Sequence, residues 1–86
     1  MKELERTYKA LANRRRLAIL AYLKETGEAS VGDIAAHIKL SFKATSKHLG
    51  VLAAADMVER EQRRLQMFYR LAANQKPASR QALALL

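Results

Sequence analysis

Lys43, Ser46 and Lys47 fall at i, i+3 and i+4, so a helix over this stretch carries two ammonium groups and a hydroxyl along one side. Such a face suits phosphate oxygens and base edges in a DNA major groove, where lysine supplies affinity and serine contacts either base or backbone. Taken alone, the pattern equally describes an ordinary solvated helix face. A second basic group, Arg63 and Arg64, follows it between two stretches rich in Val, Phe, Tyr and Met. At the tip of a hairpin these arginines are suited to the neighbouring minor groove or the flanking phosphates. Arg14-Arg15-Arg16 forms a third group at the expected start of a helix, where cations oppose the macrodipole. Phosphate contacts by Arg14 and Arg15, plain solvent exposure, and an ion pair from Arg16 to a nearby acid all account for it.

Other chemistry has little material. Asp33 and His37 are four residues apart and share a helical face, but two ligands do not make a metal site and no third of the right type is near. His48 falls on the packing side of its helix. Neither histidine has the serine and acid of a nucleophilic constellation, the three glycines are scattered, and there are no cysteines. These residues point away from enzymatic activity, metal and cofactor, and from redox chemistry.

The elements that must position the basic groups are short. Leu4, Tyr8 and Leu11 give an amphipathic first helix, and Asn13 caps a second whose apolar side is Leu17, Ile19, Leu20 and Leu23, ending at Thr26-Gly27. Ser30 opens a third helix with Val31, Ile34, Ala35 and Ile38 inward, and Ser41 caps a fourth almost at once, with Thr45, His48, Leu49 and Leu52 inward. Two short helices joined this tightly are the core of a helix-turn-helix. Met57–Glu61 and Gln66–Leu71 read as a β-hairpin with a basic tip, and Ala78–Leu86 as a last helix after Pro77. The expected fold is mainly α with a small two-stranded β-hairpin and about five helices.

Whole-chain properties agree with a polyanionic partner. Sixteen Lys and Arg against eight Asp and Glu leave a net charge of +8, while 50% apolar residues in an 86-residue chain describe one small folded domain. Its own core gives modest stability, which a partner subunit would raise. The longest apolar run, Leu17 to Leu23, is too short to span a bilayer, and the charged first residues do not read as a secretory signal, so a cytoplasmic protein without membrane contact is expected.

From about Leu4 to Leu71 the chain resembles the ArsR-type winged helix-turn-helix repressors. Ala10-Leu11-Ala12-Asn13 with Arg16-Leu17 and Ile19-Leu20 is similar to the opening signature of that family, with Arg14 in place of its proline. Leu40-Ser41, Ser46, His48-Leu49 and Val51-Leu52 match its recognition-helix pattern, with Phe42 where a polar residue is usual. Val58 to Leu71 fits the wing without a gap, with Arg64 in place of the tip glycine.

The resemblance implies one winged helix-turn-helix domain over 1–86, with the helix-turn-helix at 30–53, the wing at 57–71, and dimerisation helices at 1–12 and 78–86. It further implies a homodimer that represses transcription by occupying double-stranded DNA. Ser41, Phe42, Lys43, Ser46, Lys47, Arg63, Arg64, Arg14 and Arg15 are then the DNA-binding candidates. Leu4, Tyr8, Leu83 and Leu86 are the dimer candidates, with packing inside one subunit as the other reading of those four. The Cys-x-Cys-Asp metal motif of many members is reduced to Ser30, Gly32 and Asp33, and the last helix has neither acid nor histidine, so a member lacking both familiar metal sites is expected. The alternative to an operator-specific regulator is a winged-helix module that meets protein or RNA.

Overall fold

The computed structural model describes residues 1–86. Its order is α1 (Lys2–Leu11), α2 (Arg14–Thr26), β1 (Ala29–Ser30), α3 (Val31–Ile38), α4 (Phe42–Ala54), β2 (Val58–Arg63), β3 (Gln66–Leu71) and α5 (Pro77–Ala84). The starts of α2, α3 and α4 and the end of α2 have local causes. The Asn13 side chain accepts from the backbone N–H groups of Arg15 and Arg16 at 2.9 and 3.1 Å, satisfying two donors that an α-helix leaves open at its start. Gly27 ends α2 with φ 84°, a conformation that glycine adopts without a Cβ penalty, and its N–H closes on the Leu23 carbonyl at 2.8 Å. Ser30 and Ser41 cap α3 and α4 through Oγ, accepting from the N–H of Asp33 and Ala44, both at 3.1 Å.

Lys39, at φ 56°, turns the chain between these two helices. The link is only Lys39, Leu40 and Ser41, so α3 and α4 are held as one tightly packed pair. Ile34 of α3 and Leu49 and Leu52 of α4 are fully buried with Ile19, Leu20 and Leu23 of α2 and Met57 ahead of β2. This core holds α4 from behind and leaves its other face open.

The sheet has three strands in the order β1-β3-β2, both pairings antiparallel. The expected two-stranded wing is corrected here. Ala29 and Ser30 pair with Tyr69 and Phe68, too short a strand to show a period-2 pattern in sequence, and Ser30 then serves as the cap of α3. The hairpin is also tighter than its sequence suggests. Gln62 and Arg63 belong to β2, and Arg63 pairs with Gln66 across a two-residue loop of Arg64 and Leu65. Arg64 has φ 56°, where an L-residue with a long side chain is uncommon. The last helix begins at Pro77 and closes at Ala84, leaving Leu85 and Leu86 beyond it.

Candidate nucleic-acid interface

The Ser41 cap fixes the start of α4 and with it the direction of the first-turn side chains. Thr45, Leu49 and Leu52 point into the core, while Phe42, Lys43, Lys47 and Gly50 are exposed and Ser46 is half-buried. No acidic side chain pairs with Lys43 or Lys47, since every ion pair of the fold lies on the wing or at Lys76. Two unneutralised ammonium groups on one side of an anchored helix form a surface of positive potential open to phosphate.

The wing arginines divide into two kinds. Arg63 is exposed but paired within the chain: Nη1 and Nη2 donate to the two carboxylate oxygens of Glu28, both at 2.8 Å, and Nε donates to Glu61 at 3.1 Å. Its guanidinium also lies 4.7 Å from the Phe68 ring centre. These carboxylates raise the Arg63 pKa above the usual arginine value, Glu61 first and Glu28 next, and Arg63 in turn holds the Glu61 carboxyl below the usual carboxylate range. Arg70 adds contacts to Glu28, Glu59 and Glu61 at 3.2–3.6 Å. Arg64, at the turn itself, is exposed and makes no ion pair. The loop tip therefore presents one free guanidinium beside a partly neutralised β-ladder.

Arg14, Arg15 and Lys39 gather around a shallow cleft of about 420 Å³ floored by Ala18 and Ile38. Arg15 Nη1 reaches the Ile38 carbonyl at 3.5 Å, and no acid pairs with any of the three cations. Of the readings left open for Arg16, the ion pair to an acid is not the one formed. Its Nε donates to the Ala10 carbonyl at 2.8 Å and its Nη2 to the Lys9 carbonyl at 3.0 Å, so a cation at the wrong end of α2 is at the favourable C-terminal end of α1. Its Nη1 lies 3.2 Å from His48 Nδ1, a contact that sequence spacing did not suggest. The one available signal was the unfavourable placement of an arginine at a helix start.

His48 is pushed below the ordinary imidazole pKa by burial first, then by Arg16, Arg15 and Lys47. His37 stacks on Tyr22 with ring centres 4.1 Å apart. No three His, Asp or Glu side chains converge on a common point. Neither histidine hydrogen-bonds a hydroxyl or a carboxylate. No helix is long and apolar enough to cross a membrane.

Of the four apolar terminal residues, Leu4, Tyr8 and Leu86 are 43%, 56% and 40% exposed. Leu83, at 8% exposure, packs into the core of its own chain, the other of the two readings its position left open. Its packing helix, α5, lies against α1 and α2.

A capped helix pair, an open basic second helix and a β-hairpin beside it define a winged helix-turn-helix DNA-binding domain. Residues 13–60, over half of the chain, match the model of the bacterial regulatory protein family arsR, and the chain belongs to that family. It is 37% identical over 70 residues to the transcriptional activator HlyU of Vibrio cholerae, covering 81% of this chain and 64% of that relative, so the match spans less than two thirds of the relative's length.

The solved structure of HlyU from Vibrio cholerae superposes with a TM-score of 0.82 at 31% identity, over 98% of this chain and 87% of that one. The solution structure of the homodimeric winged helix-turn-helix DNA-binding domain Mb0332 from Mycobacterium bovis gives 0.83 at 32% identity, over 98% and 74%. The antimony-specific transcriptional repressor AntR gives 0.76 at 29% identity, over 91% and 68%. The relatives it matches are named as transcription regulators.

Proposed function

We propose that this chain acts in the cytoplasm as a homodimer, binds a specific double-stranded DNA operator and represses transcription from it, without either familiar metal site of the family. The observation that carries this reading is the open face of α4, where Lys43 and Lys47 lack acidic partners, beside a wing whose tip arginine, Arg64, is also free. In the complex Ser41, Phe42, Lys43, Ser46 and Lys47 face the major groove, Arg64 and Arg63 the flanking minor groove or phosphates, and Arg14 and Arg15 the adjoining backbone. The homodimeric state of Mb0332 supports a dimer here. Two such helices about one DNA turn apart, roughly 34 Å, would occupy a promoter and exclude polymerase.

The test is a titration of labelled duplexes from the protein's own promoter region against random duplex and single-stranded RNA competitors at two salt concentrations. Binding that survives random duplex, and weakens by about 10³–10⁵ between roughly 50 and 200 mM salt for about 6–10 phosphates, is expected. Binding removed equally by every competitor would leave only a basic surface. Transcription of the bound promoter in vitro, with and without the protein, separates repression from the activation named for HlyU.

A further inference from the structure

Resting on that reading, we infer that Phe42 is a specificity-determining residue that reads the C5-methyl group of a thymine in the major groove. Phe42 is the first residue of α4 and 62% exposed, among hydrogen-bonding and cationic neighbours on the DNA-facing side. Exposed apolar residues scattered singly need no explanation, but Phe42 is not single. Leu65 at the wing tip is 99% exposed, and the two side chains flank one depression of about 110 Å³ between α4 and the wing, with Val31 and Met67 in its wall. The sequence thus places apolar surface on both elements of the interface, beside Lys43 on the helix and Arg64 on the loop.

The chemistry of the major groove selects the occupant. Guanine and adenine present hydrogen-bonding atoms there, cytosine an amino donor, and thymine an acceptor together with a methyl group. A phenyl ring can satisfy none of the polar atoms, so against guanine, adenine or cytosine it removes water from a base edge without replacing the hydrogen bond. Against the thymine methyl it buries apolar surface on both sides. Lys43 and Lys47, on the same helix to one side of Phe42, hold the backbone next to such a contact, and their ammonium groups carry no base preference of their own toward phosphate. Phe42 therefore discriminates where the two lysines only attract.

The experiment begins with selection of duplexes from a random library by the purified chain. Within the recovered site, each thymine is then replaced in turn by deoxyuridine, which deletes only the methyl group. Wild type is expected to lose about fourfold in affinity at one thymine per half-site, and about 15-fold when both half-sites are replaced. Phe42→Ala is expected to bind the thymine duplex as weakly as wild type binds the deoxyuridine one and to respond no further to the replacement. Phe42→Leu should keep part of the methyl response.

The exposed position makes loss of the fold unexpected, and the helical circular dichroism of each variant checks this. Tolerance of every deoxyuridine by wild type, or an undiminished methyl response in Phe42→Ala, overturns the inference while leaving the DNA-binding reading intact. Failure of the selection to recover any site overturns both.

Discussion

The guanidinium of Arg16 joins His48 to α1: Nη1 lies 3.2 Å from His48 Nδ1 while Nε and Nη2 donate to the carbonyls of Ala10 and Lys9. Arginine has no acceptor, so Nδ1 must accept, which places the imidazole proton on Nε2. One side chain therefore fastens the C-terminus of the first helix to the inner side of α4. Arg16→Met should lower stability by about 2 kcal/mol, because two carbonyls and an imidazole nitrogen lose a charged donor. Arg16→Lys should recover only part of it, since an ammonium cannot fork across three acceptors. Urea denaturation of the three proteins decides; a loss under about 0.5 kcal/mol would show that water replaces the arginine.

The same contact sets a pH dependence. His48 is held below its ordinary pKa of 6.5 by burial and by the cations around it, so the unfolded chain takes up a proton at a higher pH than the folded one. The associated stability is fully present above 6.5 and is lost as the pH falls through the lower folded-state value, where protonation would set imidazolium against guanidinium. Thermal midpoints should therefore fall on acidification from neutral pH, and His48→Gln should flatten this part of the profile. An unchanged slope in that variant would assign the acid sensitivity elsewhere.

Much of this was legible because its causes are local. Asn13, Ser30 and Ser41 announce helix starts by side-chain chemistry, and the inward spacing of Thr45, Leu49 and Leu52 fixes which face of α4 is free. Arg63 shows where that ends. Its place between two strands suggested a tip residue, but the two-residue loop moves it into β2, and its partner Glu28 lies 35 residues earlier in sequence. Such pairing depends on β1 meeting β3, and a strand of two residues carries no periodic signal. For Leu83 the two readings, interface and own core, stayed open for a different reason. Helical spacing identifies an apolar face but not whether the same chain or another covers it.

Arg63 held by Glu28 predicts how the wing limits indiscriminate binding. Glu28→Gln removes a negative charge beside the wing and releases half of the bidentate grip. Random duplex should then bind more tightly, while the specific site gains less, so the ratio between them falls. The thermal midpoint should change little because the pair is solvent-exposed. Competition titrations with the two duplexes measure the ratio, and an unchanged ratio would confine Glu28 to shaping the wing.

Lysines that touch phosphate leave a signature in salt dependence. In a dimer each substitution acts twice, so Lys47→Ala should reduce the slope of log affinity against log salt by about 1.8, and Lys43→Ala similarly. Arg64→Ala should do the same from the wing. Equal slopes for wild type and a Lys43→Ala/Lys47→Ala double variant would remove α4 from the interface.

The association of two chains turns on which terminal side chains are free. Leu4 and Tyr8 are one helical turn apart on α1 and exposed, and Leu4 borders a groove of about 380 Å³ with Pro77 and Ala78 at the start of α5. Leu83 is already buried within the protomer. Charge placed at Tyr8 should therefore separate subunits without opening the core, whereas truncation at Leu83 should destabilise each subunit by about 2–5 kcal/mol. Sedimentation should show wild type as a dimer, Tyr8→Glu as a folded monomer, and Leu83→Ala with a lowered denaturation midpoint. The monomer should bind the operator about 10²-fold more weakly, since its two half-sites no longer share an effective concentration. A Tyr8→Glu protein that remains dimeric would move the interface away from α1.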